Sequence, residues 1–390
     1  MDSFDFCSPT KIFFGKDKEN LIGEYLKEYG FKKVLFHYGK SSIFKTGLYD
    51  KVVKSLNKYD IEFVELGGVE ANPDISLVRV GIDLCKKENV DCILAVGGGS
   101  VLDSSKLISL GRYYDGDPLD IIVKGETPTS RIPVGAILTI AAAGSELSAS
   151  CVISDRSINY KKGFLSELNR PLFVIENPEL TYSLPFYQVG CGIVDIISHT
   201  LERYFNKSSE HQFSDYIAEG LLKSVIDATN IILKDYYNYD ARSTLMLASS
   251  FSHNNLTNLG KKGLLPIHQL EHELSALKQE VAHGAGLAVL IPAWMWINYP
   301  KDKEKFMKFS KNIMGVKTYE DDDDLIIKGI MRLEDLFVRL KMPRRLSDLG
   351  FKEEDLEYMA NRLTKNGTFV FPSNIPLDKE LALKIYNYCF

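Results

Sequence analysis

The sequence predicts an N-terminal α/β domain on a parallel sheet, residues 1–183, followed by an all-α C-terminal domain, residues 184–390. Three observations carry this. Short apolar runs closed by glycine-rich turns occupy the first half, amphipathic helical periods occupy the second, and the change falls near residue 184. A chain of 390 residues also exceeds one ordinary domain.

The strands follow in order. Lys33 to Tyr38 ends at Gly39-Lys40-Ser41-Ser42, Ile61 to Leu66 ends at Gly67-Gly68, and Asp91 to Val96 ends at Gly97-Gly98-Gly99-Ser100. Ile132 to Leu138 leads into Thr139, and Pro171 to Ile175 closes on Asn177-Pro178. Runs of this kind, each followed by a turn and a helical period, suit parallel strands with crossover helices. Beyond Leu184 the periodicity predicts helices over Val189 to Phe205, Phe213 to Ala228, Leu245 to Asn258, His268 to Lys278, Asp302 to Met314 and Leu325 to Leu340. Pro292, Pro300, Pro343 and Pro372 punctuate them. The acidic run Glu320 to Asp324 reads as a helix start or a solvated face.

Composition narrows the function classes. With 45% hydrophobic and 25% charged residues the chain is globular, not disordered. A net charge of -5 argues against nucleic acid and anionic membrane as partners. No apolar run reaches membrane-spanning length, and the first residues lack a basic-then-apolar leader. Six scattered cysteines without a C-x-x-C pair read as free thiols, so a cytoplasmic location is expected.

Two constellations carry chemistry. Gly97-Gly98-Gly99-Ser100 joins a strand to a helix, serving either as a tight turn or as a phosphate cradle in which Ser100 caps the helix or bonds an oxygen. The strand–loop–helix context favours the cradle, although the spacing is not G-x-G-x-x-G. The second constellation is drawn from only seven histidines, His37, His199, His211, His253, His268, His272 and His283. Asp195 and His199 stand four apart in an aliphatic helical pattern, His268 and His272 repeat that spacing, and His283 follows. A lone buried histidine is usually a hydrogen-bonded core residue, but imidazoles clustered with a carboxylate suit Zn(II) or Fe(II). Gln269 stands where a zinc protease needs a glutamate, and no Gly-x-Ser-x-Gly elbow occurs, so both hydrolase classes are disfavoured.

At these residues the chain resembles the iron-containing (group III) alcohol dehydrogenases, most closely their butanol dehydrogenase branch. The likeness runs from Pro9-Thr10-Lys11-Ile12-Phe13-Phe14-Gly15 through Gly67 to Pro73, Gly97 to Lys106, Ala142 to Glu146, Asn177 to Tyr182, and Gly192 to Glu202, ending at His268 through Gly284. The resemblance implies a Rossmann-like dinucleotide-binding domain and a helical metal-binding domain in the dehydroquinate synthase-like architecture, with the active site in the cleft between them. It implies Asp195, His199, His268 and His283 as ligands to one divalent metal, Fe(II) or Zn(II), with His272 the catalytic histidine near substrate. It also implies cofactor contacts from Gly97, Gly98, Gly99 and Ser100, from Asp103 and Lys106, and from Thr139, Ser145 and Lys161. A homodimer is implied as well. This chain departs from the family at Ala143, where a threonine is usual, at Lys40, where a glycine is usual, and in one extra residue between His272 and His283.

The expected reaction is hydride transfer between a nicotinamide and a small primary alcohol or aldehyde. The first strand ends without a carboxylate, and Gly39, Lys40 and Ser41 offer donors and one positive charge, so NADP(H) is expected over NAD(H). His37, at the end of that strand, is placed near the 2'-phosphate, while His211 and His253 are read as structural. Two other readings keep the fold: a polyol- or sugar-phosphate dehydrogenase or dehydroquinate synthase-like lyase, and a non-catalytic nucleotide-binding protein. The first needs basic residues around the metal, whereas the stretches near Asp195 and His268 are mainly aliphatic or carboxamide.

Overall fold

The computed structural model describes residues 2–206 and 213–390, so His211 lies outside the described residues. The chain forms two compact units, Cys7–Leu184 and Pro185–Phe390, the second also including residues 2–6.

In the first unit the strands are β1 (Lys11–Phe14), β2 (Lys33–Tyr38), β3 (Glu62–Leu66), β4 (Cys92–Gly97), β5 (Val134–Leu138), β6 (Ser150–Asp155), β7 (Tyr160–Leu165) and β8 (Phe173–Glu176). The helices between them are α1 (Ile22–Glu28), α2 (Ser42–Lys45), α3 (Leu48–Lys58), α4 (Ile75–Glu88), α5 (Gly99–Gly111) and α6 (Pro118–Val123). Six strands form one sheet in the order β1-β8-β5-β4-β2-β3 with every neighbouring pair parallel. Val34, Leu35 and Phe36 of β2, with Cys92, Ile93, Leu94 and Val96 of β4, are fully buried, as expected where helices cover both faces. These β-branched and aromatic runs are what the sequence announced.

The strand order reverses between β2 and β4, which pair directly with Tyr38 opposite Val96. Connections leave in opposite directions there and open a crevice beyond the carboxyl ends of the strands, the usual ligand position in open α/β sheets. The Gly39–Ser41 and Gly97–Ser100 turns stand at those two ends.

Two features were not announced. β1 is a four-residue edge strand, and β6 with β7 forms an antiparallel hairpin whose pairs, such as Ser154 with Lys161 and Ile153 with Lys162, mix polar and apolar residues. His37 is also corrected. It is wholly buried in β2, its Nδ1–H donating to the Leu66 carbonyl at 2.7 Å while the Ser104 hydroxyl donates to Nε2 at 2.9 Å. It is a satisfied core residue of the sheet, not a group offered to a ligand.

The second unit is helical: α7 (Phe186–Tyr204), α8 (Phe213–Ile232), α9 (Tyr239–Ser252), α10 (Pro266–Leu277), α11 (His283–Asn298), α12 (Lys303–Lys308), α13 (Asp322–Arg339), α14 (Glu353–Leu363) and α15 (Lys379–Tyr388). The helix expected over Leu245 to Asn258 stops at Ser252, because Asn255 turns left-handed (φ 75°) before a short 3-10 turn. That expected over Asp302 to Met314 divides into α12 and a π-turn over Phe309–Ile313. The acidic run starts a helix: the Asp321 carboxylate accepts the Asp324 N–H at 2.8 Å and caps α13. The sequence does not predict α11, because Gly284, Gly286 and Pro292 argue against a helix, yet from Gly284 to Met295 every residue is buried and tertiary packing overrides propensity. No helix among the described residues is long and apolar enough to cross a membrane, and all six cysteines are free thiols.

Burial pulls the His37 pKa from 6.5 down to about 4, the Leu66 hydrogen bond only partly opposing it. The unfolded chain therefore binds a proton that the folded chain refuses. Stability is complete above about pH 6.5 and is lost as pH falls toward about 4. Between pH 7 and pH 5 this residue's share of the loss is about 2 kcal/mol. Urea unfolding of His37→Asn, compared with the parent at both pH values, should show a lower stability at pH 7 but a pH-dependent loss smaller by about that amount. An equal loss in both proteins would exclude the assignment.

Candidate metal centre

Three helices of the second unit converge on one carboxylate oxygen. Asp195 and His199 lie one turn apart on α7, His268 and His272 one turn apart on α10, and His283 opens α11. Asp195 Oδ1 stands 3.1 Å from His199 Nδ1, 3.7 Å from His268 Nε2 and 3.8 Å from His283 Nε2. Tetrahedral coordination with bonds of about 2.0–2.2 Å sets ligand atoms about 3.4 Å apart, so these spacings bracket what a small divalent ion needs. Asp195, His199 and His268 each bring a ligand atom within 4.8 Å of the others, and so do Glu271, His272 and His283. The His272 and His283 rings are 5.8 Å apart, so the second i, i+4 histidine joins the cluster too.

Two glutamates not singled out from the sequence complete it. Glu202, on α7, accepts the His268 Nδ1–H through Oε1 and the Ile267 N–H at 2.7 Å through Oε2. Glu271, on α10, accepts the His283 Nδ1–H. Arg203 donates to the carbonyls of His199 and Ser252, at 2.8 and 3.1 Å, and to His253 Nδ1 at 3.1 Å. His253 in turn lies edge-on against His199 with ring centroids 4.0 Å apart, so it borders the cluster although the sequence did not mark it. None of these partners had a readable signal, because each acts across helices and not at a fixed spacing along one.

The chemistry of the donor set fits a dication. Among the described residues, Asp195 Oδ1 and His268 Nε2 are buried without a hydrogen-bond partner, although they face each other. Asp195, Glu202 and Glu271 are all buried around the histidines, with the Arg203 guanidinium beside them. Burial pulls His199 down to about 3, with His268 adding to the effect, so its imidazole is neutral. Burial acts the same way on His268, but Glu202 and Asp195 outweigh it and push that residue up to about 9. Asp195, despite its burial, is held well below the usual carboxylate range by His199, His268 and His283. The cluster favours positive charge at the point where the unpartnered atoms meet, which suits Zn(II) or Fe(II).

The first unit gathers the other expected residues. Gly97 ends β4 and Gly98 is the N-cap of α5, with no side-chain cap bond. Ser100 lies inside the helix, so its alternative role as the cap is corrected. A Cβ at Gly97 would sit 2.5 Å from Val101 Cγ2, and one at Gly98 would sit 2.2 Å from Ile140 Cγ2. Only glycine fits at these two positions, and the helix that follows starts with its first N–H groups free of any side-chain cap. The Thr139 N–H donates to the Gly97 carbonyl at 3.0 Å and pins the base of the turn. Asp103, Lys106 and Ser145 turn inward. Lys106 is buried and donates to Ser145 Oγ at 2.7 Å and to the carbonyls of Ser148 and Ser150. Ser145 donates to Asp103 at 2.6 Å, and Asp103 accepts the Val152 N–H at 3.0 Å, tying α5 to the hairpin that carries half-buried Lys161. At the end of β2 the fold supplies the carboxylate that the local sequence lacks. The Gly68 N–H donates to the Gly39 carbonyl at 2.8 Å, and Glu70 reaches Lys40 and Arg156, each at 2.5 Å. Both cations hold Glu70 down to about 2.

Comparisons with known proteins agree along the whole chain. Residues 9–178 match the description "Iron-containing alcohol dehydrogenase" and residues 191–388 match "Fe-containing alcohol dehydrogenase family, C-terminal". NADH-dependent butanol dehydrogenase A of Clostridium acetobutylicum is 39% identical over 387 residues, 99% of each chain. NADPH-dependent aldehyde reductase YqhD of Escherichia coli is 33% identical, again over 99% of each chain. The crystal structure of NADH-dependent butanol dehydrogenase A from Thermotoga maritima superposes with a TM-score of 0.94 at 36% identity, covering 100% of this chain and 99% of that one.

The His283-Gly284-Ala285-Gly286 turn has a steric origin. A Cβ at Gly284 would lie 2.1 Å from the Cys191 carbonyl oxygen, so α11 can touch the α7 backbone only without a side chain there. In Gly284→Ala the helices must separate, and overpacking of this kind costs about 1–3 kcal/mol. Denaturant unfolding should show that loss, and a variant as stable as the parent would contradict the close approach.

Proposed function

The chain belongs to the iron-containing alcohol dehydrogenase family, and on that premise we propose how its residues divide the reaction and which substrates suit it. It is an alcohol dehydrogenase and aldehyde reductase that uses NAD(P) and a metal. The substrates are small primary alcohols and aldehydes of the butanol and butanal kind. The observation that carries the reading is the convergence of His199, His268 and His283 on the buried Asp195 oxygen.

Asp195, His199, His268 and His283 would hold the metal, and Gly97, Gly98, Gly99 and Ser100 the dinucleotide phosphates. When bound, the metal supplies Lewis acidity toward the substrate oxygen, and the nicotinamide supplies or accepts the hydride. His272, one turn beyond His268 on α10, moves the substrate proton toward solvent. Aliphatic neighbours of Asp195, among them Val194, Ile196 and Ile197, are buried and exclude water from that helix. A phosphorylated substrate is less well served. The Arg203 guanidinium is engaged by two carbonyls and His253, and Lys261 by Asp215 at 2.5 Å and the Arg203 carbonyl at 3.1 Å. The free thiols support a reducing cytoplasm as the location. A homodimer rests on the family likeness alone.

The test is an aldehyde-reduction panel run with metal analysis. The parent, supplied with Fe(II) or Zn(II), should reduce butanal with a nicotinamide cofactor, which a non-catalytic nucleotide-binding protein would not do. Asp195→Ala and His268→Ala should emerge from dialysis without stoichiometric metal and without activity; full metal occupancy in either would remove these residues from the ligand set. His272→Phe should keep its metal and lose rate in a pH-dependent way, and an unchanged pH profile would end the proton-transfer role.

For the cofactor, the cations Lys40 and Arg156 support NADPH, but they share Glu70, which an added 2'-phosphate would meet. Exposed pairs of this kind are worth about 0–1 kcal/mol, so a preference for NADPH of less than about tenfold is expected. The ratio of kcat/KM for NADPH over NADH should fall in Lys40→Ala and rise in Glu70→Gln. Ratios that do not move, or that move the other way, would place the 2'-phosphate elsewhere.

A further inference from the structure

We propose that Glu202 and Glu271 are the positioning residues of the metal centre, each fixing the tautomer and ring direction of one histidine on the neighbouring helix; the proposal rests on the metal-centre reading above. The two carboxylates are deployed in the same way. Glu202 projects from α7 onto His268 of α10, and Glu271 projects from α10 onto His283 of α11. In both cases the carboxylate takes the Nδ1–H, which leaves the Nε2 lone pair as the ligand. In both cases Nε2 is the atom facing Asp195, at 3.7 Å for His268 and 3.8 Å for His283. His199 differs, since its Nδ1 faces both the Asp195 carbonyl at 3.0 Å and Asp195 Oδ1 at 3.1 Å, and it has no carboxylate partner of this kind.

Two further observations show that these seats are built. Glu202 is anchored beyond its histidine, accepting the Ile267 N–H at 2.7 Å and the Ser198 hydroxyl at 3.3 Å. The Glu271 seat is kept open by a glycine: a Cβ at Gly286 would lie 2.8 Å from Glu271 Cγ and 3.2 Å from Oε1. The price of burying a carboxylate is several kcal/mol unless it is paired and hydrogen-bonded. Two fully buried glutamates, each aimed at the remote nitrogen of a clustered histidine, are poor stabilisers of the helices by themselves. They make sense as outer partners that raise ligand basicity and hold the ring, an arrangement whose loss weakens metal binding by about 10–100-fold.

The order of attachment makes a specific prediction. Glu202→Gln should disturb His268 alone, and also set its amide N–H₂ against the Ile267 N–H. Glu271→Gln should disturb His283 alone, and Gly286→Ala should reproduce its effect by displacing the carboxylate while keeping it.

The experiment measures zinc affinity by competition with a chromophoric chelator for the parent, Glu202→Gln, Glu271→Gln and Gly286→Ala. Alongside it, the zinc-loaded parent is labelled with ¹⁵N-histidine and its imidazole tautomers are read by NMR. Expected are zinc Kd values raised about 10–100-fold in each variant, and two metal-bound imidazoles in the parent that carry the proton on Nδ1 and hold zinc through Nε2. Unchanged Kd values, or an Nε2-protonated His268 or His283, would overturn the proposal. Should a variant not fold, the tautomers of the unmodified protein still decide. A parent that binds no zinc would remove the metal centre itself, whereas a parent and variants that bind it equally would remove only the role of the glutamates.

Discussion

A carboxylate oxygen that must be shared by three imidazoles is the constraint on which the helical unit depends. Asp195 Oδ1 is buried, and its neighbours His199, His268 and His283 come from α7, α10 and α11. A buried carboxylate without partners is costly, so the three helices must lie where their side chains reach it. That requirement explains features that look unfavourable one at a time. α11 begins with two glycines within four residues, a poor helical start, because Gly284 lets it touch the α7 backbone and Gly286 leaves room for Glu271. α7 carries no wide polar face: from Val189 to Tyr204 every residue is buried, the polar ones included.

The sheet unit solves a different problem at its own bend. Where the strand order reverses, two turns meet at the carboxyl ends of β2 and β4, the usual ligand position in such sheets, and the second opens α5 without a side-chain cap. Glycine at 97 and 98 is required by Val101 and Ile140, not by a positive φ. Behind the turn, Asp103, Ser145 and Lys106 form a closed polar network that fastens α5 to the β6–β7 hairpin. Residues expected together as cofactor contacts thus divide into a turn that faces outward and a brace that supports it. For Lys106 the brace is the observed role, since its ammonium is enclosed by Ser145, Ser148 and Ser150.

What could be read from the sequence follows from the range of each signal. β2 and β4 were legible because strands buried on both faces need continuous apolar runs. Asp195 with His199, and His268 with His272, were legible because one helical turn is a fixed spacing of four. The four-ligand set itself came from resemblance, since no spacing links α7 to α10. Glu202, Glu271 and Glu70 were illegible for the same reason. Each lies in an ordinary local context and acquires its role only when a second element arrives, Glu70 through the Gly68–Gly39 contact that folds its loop over the end of β2. The β6–β7 hairpin escaped notice because its strands mix serines and lysines with apolar residues. His37 shows the opposite error, an eye-catching residue at a strand end that the fold had already satisfied.

The helix-to-helix order of the glutamates also makes metal affinity and packing a single property. Glu202 joins α7 to α10 and Glu271 joins α10 to α11, so the bonds that orient the histidines are also bonds between helices. Any shift of α11 against α7 turns the His283 ring, and any weakening of a glutamate loosens a helix contact. Three buried carboxylates surround these histidines, so a dication held there would stabilise the helical unit by linkage. Because that stabilisation requires the same helix positions that aim Nε2 at Asp195, the residues that tune the site and those that hold the fold together cannot be separated around α7, α10 and α11.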